Sequence, residues 1–208
     1  MNYESLLETV TSRRSIREFK EDTVSRNDIE KIVRAGMQAP SGFNSQPWDT
    51  VVVDDKTLKD EISQYILDGI GGAKTSRGFI SAPVFIILYG DSRLRAYGPP
   101  GRRDDDEWWN FTFNTSLGNF FMYMQLAATT LGLGSMWVSG FRFPEVETRA
   151  KALLKIPSHF KLFEMMAIGH PAMKPGEKKL RSPSDIIHYN QCDNYRSEED
   201  IDKWFDRK

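Results

Sequence analysis

Residues 108–131 constrain the fold of this chain most strongly, because apolar side chains occupy nearly every side of the helix predicted there. Trp109, Phe113, Phe120 and Met124 are among them. A surface helix carries one apolar stripe, whereas a helix that is apolar all round is typical of a central, packed position. Asn and Thr residues interrupt the run, so it is not predicted to span a membrane. We therefore expect a long helix at the centre of a core.

Shorter elements are predicted on both sides of this helix. Helices are expected over 3–12, over 56–68, and from a Ser25/Asp28 capping box to Pro40. Two further helices are expected to begin at Pro144 and at a Ser197/Asp200 capping box. Strands are expected at 51–53, at 83–90, within GLGSMWVSGF and within FKLFEMMAIGH. Strands that alternate with helices indicate an α+β or an α/β sheet domain. A length of 208 residues suits a single domain spanning 1–208.

Two irregular regions stand out from this pattern. The segment 90–107 is dense in Gly, Pro and mixed charge, and we interpret it as an insert that forms a lid or a surface loop. The segment 171–208 is an extended tail that ends in a helix carrying Trp204 and Phe205. This tail either contacts a second subunit or packs on its own subunit.

Composition excludes several classes of function. The chain has 28 Lys and Arg against 29 Asp and Glu, so its overall charge steers it toward neither nucleic acid nor a membrane surface. An RNA- or phosphopeptide-binding module would need a basic surface. No apolar run approaches a membrane span or a signal peptide, so we expect a cytoplasmic protein. A single cysteine, Cys192, excludes an internal disulfide and a multi-cysteine metal site, and no metal is expected.

The segment RRSIR places Arg13, Ser15 and Arg17 on one face of an extended chain, because side chains alternate along such a backbone. Two guanidinium groups and a hydroxyl on one side suit a phosphate. Lys179 and Arg181 repeat the same spacing far along the chain, and both sets could bind one anion. Solvated surface charges are the alternative interpretation.

Two loops add polar groups. In PSGFNSQPW, Pro and Gly residues shape a loop that presents Ser41, Asn44 and Gln46, and side-chain amides suit the edge of a heterocycle. GLGSMWVSG combines glycines with a strand end, where backbone N–H groups can meet a ligand, although a helix cap and a turn would look the same. No glycine-rich phosphate loop and no catalytic triad or metal spacing is present. The chemistry is therefore expected to reside on a bound cofactor.

Four motifs in this order resemble the FMN-dependent nitroreductase superfamily across nearly the whole chain: RRSIREF, APSGFNSQPW, GLGSMWVSGF and the tail IGHPA…KKLRSP…HYN. The resemblance implies an α+β fold with a mainly antiparallel sheet flanked by helices. It also implies an intertwined homodimer with one FMN in each of two interface sites. Partners other than a small-molecule substrate and the second subunit are not expected.

The resemblance also implies a set of FMN-binding residues. At the phosphate and the pyrimidine side of the flavin these are Arg13, Arg14, Ser15 and Arg17, and Lys179 and Arg181 complete the phosphate site. The partner subunit contributes Pro40, Ser41 and Asn44. Along flavin N5 and O4 run Trp137, Val138, Ser139 and Gly140. Arg17 would stand near flavin N1 and O2, where negative charge collects on reduction.

Two departures from several members of the family lie on the substrate side: Ser139 replaces a glutamate, and the insert 90–107 is long. The motif DEWWNFTFN is expected to supply an aromatic wall over the flavin, although core packing is an equally natural role for each ring. The candidates are Trp108, Trp109, Phe111 and Phe113.

The implied activity is a ping-pong reduction in which NADH or NADPH gives a hydride to flavin N5 and a small acceptor is then reduced. No side chain of the protein need act as acid or base, so no catalytic residue is predicted. The expected acceptors are nitroaromatic, quinone or enone compounds. The alternatives are a flavin-binding sensor or carrier without turnover, and a specialised reaction such as reductive dehalogenation.

Overall fold

The computed structural model describes residues 2–69, 77–141, 143–192 and 195–205. The chain divides into two compact units, Met1–Pro175 and Gly176–Lys208, and each is described by itself below. The helices of the first unit are α1 Tyr3–Ser12, α2 Arg26–Gly36, α3 Lys56–Gly69, α4 Asp106–Thr130 and α5 Pro144–Leu154; its strands are β1 Trp48–Val53, β2 Val84–Asp91, β3 Gly134–Val138 and β4 Phe160–Gly169. The second unit contains α6, Glu198–Phe205.

The four strands form one sheet in the order β1-β2-β4-β3, and every neighbouring pair is antiparallel. The α+β fold with an antiparallel sheet is therefore confirmed, and the α/β alternative is wrong. The central strands β2 and β4 are almost fully buried. Since side chains alternate along a strand, Ile86 and Leu88 face one layer of helices, and Phe85 and Ile87 face the other.

Helix α4 packs against one face of the sheet and supplies most of the apolar cluster there, including Leu117, Phe121 and Met124. The central, packed position is confirmed. The helix is not buried all round, however, because Met122 and Tyr123 are exposed. Their helix also contacts α1, whose apolar side chains Tyr3, Leu6, Leu7 and Val10 are exposed as well.

The helix starts follow the caps. The hydroxyl of Ser25 accepts the Asp28 N–H at 3.1 Å, and it donates to the Asp28 carboxylate at 2.8 Å. Asp105 caps α4 by accepting the Trp108 N–H at 2.9 Å, which places the helix start ahead of the predicted 108. No helix within the described ranges is long and apolar enough to cross a membrane.

Candidate functional site

The basic segment, residues 13–17, and the residues that follow it lie extended along the start of β3 and the end of β4. The Ile16 N–H donates to the Ser135 carbonyl at 3.0 Å, and the Lys20 N–H donates to the His170 carbonyl at 2.9 Å. The Arg17 N–H donates to Sδ of Met173 at 3.3 Å. These backbone contacts hold the segment in the extended conformation that its sequence predicts.

Ile16 fixes which side of the segment faces the core. Its side chain is 5 % exposed, and a Cβ added to Gly134 would lie 2.6 Å from Ile16 Cγ1, so only glycine lets the two backbones approach. Alternation along an extended chain assigns Arg13, Ser15 and Arg17 to the face opposite Ile16. Arg17 is exposed, and Arg13 and Ser15 are half-buried. Arg14 is on the Ile16 side, where both residues line a cavity of about 330 Å³ that also includes Lys174.

The guanidinium groups of this segment form no ion pair with another described residue, unlike those of four other arginines. Arg93, Arg95, Arg102 and Arg149 each form an ion pair with an aspartate, but no ion pair among the described residues uses an arginine of RRSIR. The Arg17 guanidinium instead donates to the Ser15 carbonyl at 3.3 Å. This set of cationic donors beside a hydroxyl fits the phosphate of FMN.

The end of β3 turns most of its side chains toward the core. Trp137 lies between Phe121 and Phe163, with ring centroids 4.1 and 6.0 Å away. Val138 is buried, and a Cβ on Gly140 would press on Ile66. Ser139 is exposed. The predicted contact of 137–140 with a flavin would therefore be made by backbone groups and Ser139, and it stays a prediction.

The loop after α2 is strained. Phe43, Asn44 and Gln46 have φ angles of 44°, 54° and 44°, in the left-handed region that favours glycine. Asn tolerates this region, whereas a bulky residue such as Phe is a genuine outlier. A bulky residue held there, such as Phe43, costs roughly 1–3 kcal/mol, which the surrounding structure must offset. Backbone strain of this kind is concentrated at binding and active sites.

Helix α4 holds the strained loop in place. The Gly42 N–H donates to Ser116 Oγ at 3.1 Å, and Asn119 Nδ2 donates to the Pro40 carbonyl at 3.3 Å. A Cβ on Gly42 would lie only 2.1 Å from Thr112 Cγ2. Within the loop, the Gln46 N–H donates to Ser41 Oγ at 3.0 Å. The predicted residues Pro40, Ser41 and Asn44 thus belong to one fixed loop.

The four predicted aromatic candidates divide between core and surface. Trp109 and Phe113 are 3 % and 4 % exposed and pack in the core, so in this chain their rings offer no ligand surface. Trp108 is half-buried, and Phe111 is 72 % exposed. A fifth ring, Phe43, was missed by the sequence patterns. Its only signal was an aromatic residue inside a loop rich in Pro, Gly and amides.

The insert is ordered by its own hydrogen bonds. The Arg95 guanidinium contacts the Arg103 carbonyl and the Asp106 carboxylate, and Arg103 Nε donates to the Gly98 carbonyl at 2.8 Å. The pKa of Asp105 is held below its usual value, first by the Trp108 N–H and then by the Arg102 guanidinium. The function of the insert as a lid stays a prediction.

The strained loop bonds directly to α4, whereas the basic segment is linked to α4 through Ser135 of β3. Ser116 anchors the loop, whereas Gln125 Nε2 donates to Oγ of Ser135, the residue that pairs with the basic segment, at 3.2 Å. Ser116 and Gln125 are nine residues apart, which is about 14 Å along a helix axis. The points at which the two groups are linked to α4 are therefore separated along the helix.

The second unit carries the remaining predicted cations. The Lys179 ammonium lies 4.7 Å from the centroid of the Trp204 ring, and the Arg181 guanidinium donates to the Asp185 carbonyl. Arg181 also lines a cavity of about 260 Å³ with Arg196. Participation of Lys179 and Arg181 in a phosphate site with the first unit stays a prediction. The described residues contain no cluster of His, Cys, Asp or Glu suited to a metal.

A family model, curated proteins and solved structures were each found to be similar to this chain over most of its length. A family model described as the Nitroreductase family matches residues 10–170. A Thermus thermophilus protein named NADH dehydrogenase is 30 % identical over 84 % of this chain and 90 % of its own length. A Bacillus subtilis protein named FMN reductase [NAD(P)H] is 27 % identical over 89 % and 73 % of the two lengths. The solved structure of B. megaterium NfrA2 superposes with a TM-score of 0.79 at 25 % identity, covering 98 % of this chain and 80 % of that one.

Proposed function

The chain belongs to the nitroreductase family, and we propose that it acts as an FMN-dependent NAD(P)H oxidoreductase on small, electron-poor acceptors of the nitroaromatic, quinone or enone type. The name of the Bacillus subtilis relative supports both FMN and the nicotinamide donor. The observation that carries the proposal is the extended row of Arg13, Ser15 and Arg17 beside the buried Ile16, whose arginines form no ion pair within the described chain.

The residues of the chain have distinct functions in this proposal. Arg13 and Ser15 hold the FMN phosphate. Arg17 places a fixed positive charge beside the part of the flavin that becomes negative on reduction. Backbone N–H groups at 139 and 140 hold the flavin edge. Bound FMN supplies a carrier for two electrons between donor and acceptor.

With a quinone as acceptor the reaction balances without a further reagent. NAD(P)H and one proton reduce the quinone to a hydroquinone and leave NAD(P)⁺. The contribution of the protein is to position the donor and the acceptor in turn beside the flavin and to stabilise its negative charge.

We include a homodimer in the proposal because the strained loop and Ser135, which pairs with the basic segment, bond to positions of α4 that lie about 14 Å apart along the helix axis. A second copy would bring its own loop, with Asn44, to the basic segment of the first. The exposed apolar side chains of α1, including Leu6, Leu7 and Val10, support such an interface, since burying them is favourable. Light scattering on the purified protein tests the subunit number, and a monomer that retains FMN would contradict this part.

The visible absorption spectrum tests the activity. We expect a flavin band that bleaches on anaerobic addition of NADH or NADPH and recovers when a quinone or nitroaromatic is added. A band that neither donor bleaches would support the sensor or carrier instead. Recovery with an iodotyrosine alone would support reductive dehalogenation. Absence of a protein-bound flavin band after incubation with FMN and removal of the unbound cofactor would overturn the proposal. The cytoplasmic location expected from the sequence stays a prediction.

A further inference from the structure

We infer that Phe43 is a specificity-determining residue: its exposed ring is a fixed aromatic platform on which a planar, uncharged acceptor stacks. The inference rests on the proposed function, because the adjacent Asn44 is the residue assigned there to the flavin edge. It adds a named contact and a shape requirement that neither the motifs nor the relatives indicate.

The backbone at Phe43 is the first argument. Glycine adopts a φ angle of 44° at no steric cost, and asparagine adopts it readily, yet this position holds a bulky ring. Strain of this kind persists only where the surrounding structure imposes it, and it is concentrated at sites that contact ligands. A loop with a purely connecting function has no need of an aromatic residue in the left-handed region.

The packing of the ring is the second argument. The rings of Phe43 and Trp108 are nearly parallel, with an interplanar angle of 19° and centroids 6.3 Å apart. The Trp109 ring lies 6.5 Å away and is itself in the core. Despite these neighbours, Phe43 remains 40 % exposed. One side of the ring is therefore supported by tryptophans, and the remaining surface is open to a partner.

The loop is rigid enough for the ring to select by shape. Gly42 and Pro40, on the amino-terminal side of Phe43, are hydrogen-bonded to Ser116 and Asn119 of α4. On the other side, Gln46 Nε2 donates to Asn44 Oδ1 at 3.3 Å. A platform that is already oriented loses little freedom when a ligand stacks on it, which favours rigid, flat ligands.

The insert borders the platform and indicates an uncharged ligand. A Cβ built on Gly98 would lie 3.9 Å from Phe43 Cε1 and 3.8 Å from Trp108 Cζ3, so the insert touches the two rings at their edge. Near the rings, Arg95 pairs with Asp106, Arg102 pairs with Asp105, and Arg103 Nε donates to the Gly98 carbonyl. The cations of this border thus already have partners, so it offers an acceptor mainly aromatic surface, which suits a neutral π-system.

The test compares two acceptors on the FMN-loaded enzyme. Menadione is planar and uncharged, whereas ferricyanide is a compact octahedral anion that accepts single electrons. We expect Phe43→Ala to raise KM for menadione by about 3- to 10-fold, the size of one lost aromatic stack. KM for ferricyanide and kcat with either acceptor should stay within about 2-fold. Phe43→Tyr keeps the ring and should restore the wild-type KM.

A binding measurement gives a readout besides turnover. Menadione should quench tryptophan fluorescence, because Trp108 packs against Phe43. Phe43→Ala should raise the Kd for menadione by the same factor of about 3 to 10. Phe143→Ala is the matched control, since Phe143 is 37 % exposed and has an extended backbone with φ of −83°. It should change neither the KM nor the Kd for menadione.

Three outcomes would overturn the inference. They are an unchanged KM for menadione, an equal change with both acceptors, and a change of subunit number in Phe43→Ala. If the alanine variant folds poorly, Phe43→Gly replaces it, because glycine adopts the native φ without strain. Failure of the proposed function is distinct, since the wild-type enzyme would then oxidise neither NADH nor NADPH with either acceptor, while the menadione titration still tests the platform.

Discussion

The basic segment 13–17 and the strained loop 40–46 both present polar groups, but they do so by opposite means. The basic segment is extended, so simple alternation decides that Arg13, Ser15 and Arg17 share a face while Ile16 faces the core. The loop has three residues in the left-handed region, and contacts with α4 decide which groups it presents. In a regular backbone the side chains of a site can be predicted from the sequence, whereas in a strained backbone their directions depend on tertiary contacts.

Removing the core contact of the basic segment should have the largest effect. Ile16→Ala leaves a cavity against Gly134, and we expect a loss of about 2–5 kcal/mol in the free energy of unfolding, together with loss of FMN. Denaturant unfolding followed by circular dichroism, with flavin absorbance measured in parallel, checks both. Ile80→Ala, at an exposed position, should change stability by less than about 1 kcal/mol. Equal effects of the two substitutions would mean that Ile16 does not hold the segment.

Removing a cation from the presented face should affect the cofactor and leave the fold intact. We expect Arg17→Ala to raise the Kd for FMN by about 10- to 100-fold, because a charge-assisted hydrogen bond contributes about 1.5–3 kcal/mol. The flavin potential should also fall, since the reduced anion loses its nearby positive charge. Fluorescence titration and spectroelectrochemistry measure the two quantities. Arg34→Ala, on the exposed side of α2, is the control, and unchanged values in Arg17→Ala would exclude this function for Arg17.

The strained loop should respond to sterics at its anchor. Gly42→Ala places a methyl group 2.1 Å from Thr112 Cγ2, and we expect a loss of about 1–3 kcal/mol in the free energy of unfolding. Thr112→Ser removes the clashing methyl group and keeps the hydroxyl, so the double variant should recover most of the loss. Thermal unfolding of the two single variants and the double variant measures this coupling. Additive losses would show that the loop does not rest on Thr112.

A helix cap outside both regions should give the smallest effect. Ser25→Ala removes the acceptor of the Asp28 N–H, and we expect a loss of about 1 kcal/mol. FMN content and KM values should be unchanged, because the Ser25 hydroxyl bonds to Asp28 within its own helix turn. Denaturant unfolding and the ratio of flavin to protein absorbance are sufficient. A loss of FMN in this variant would mean that cofactor content simply follows overall stability.

Features that depend on residues close together in the sequence were predicted correctly, whereas features that depend on distant residues were not. The cap at Ser25 and the helix that begins with Pro144 were predictable because their signals lie within one turn. The exposure of Met122 and Tyr123 was not predictable, because the identity of an apolar residue does not indicate which element packs on it. Phe43 escaped for a similar reason, because its φ angle depends on α4, about seventy residues away in sequence.

By itself, the sequence determined the helices and strands, the antiparallel-sheet family to which they belong, and the face shared by Arg13, Ser15 and Arg17, because these depend on short-range periodicity and on motifs. Only the tertiary structure decided the strand order β1-β2-β4-β3, the cavity that Arg14 and Ile16 line, and the strained platform at Phe43. The physical reason is that these features arise from packing between residues far apart in the chain, where one close contact, such as Ile16 against Gly134, overrides local preference.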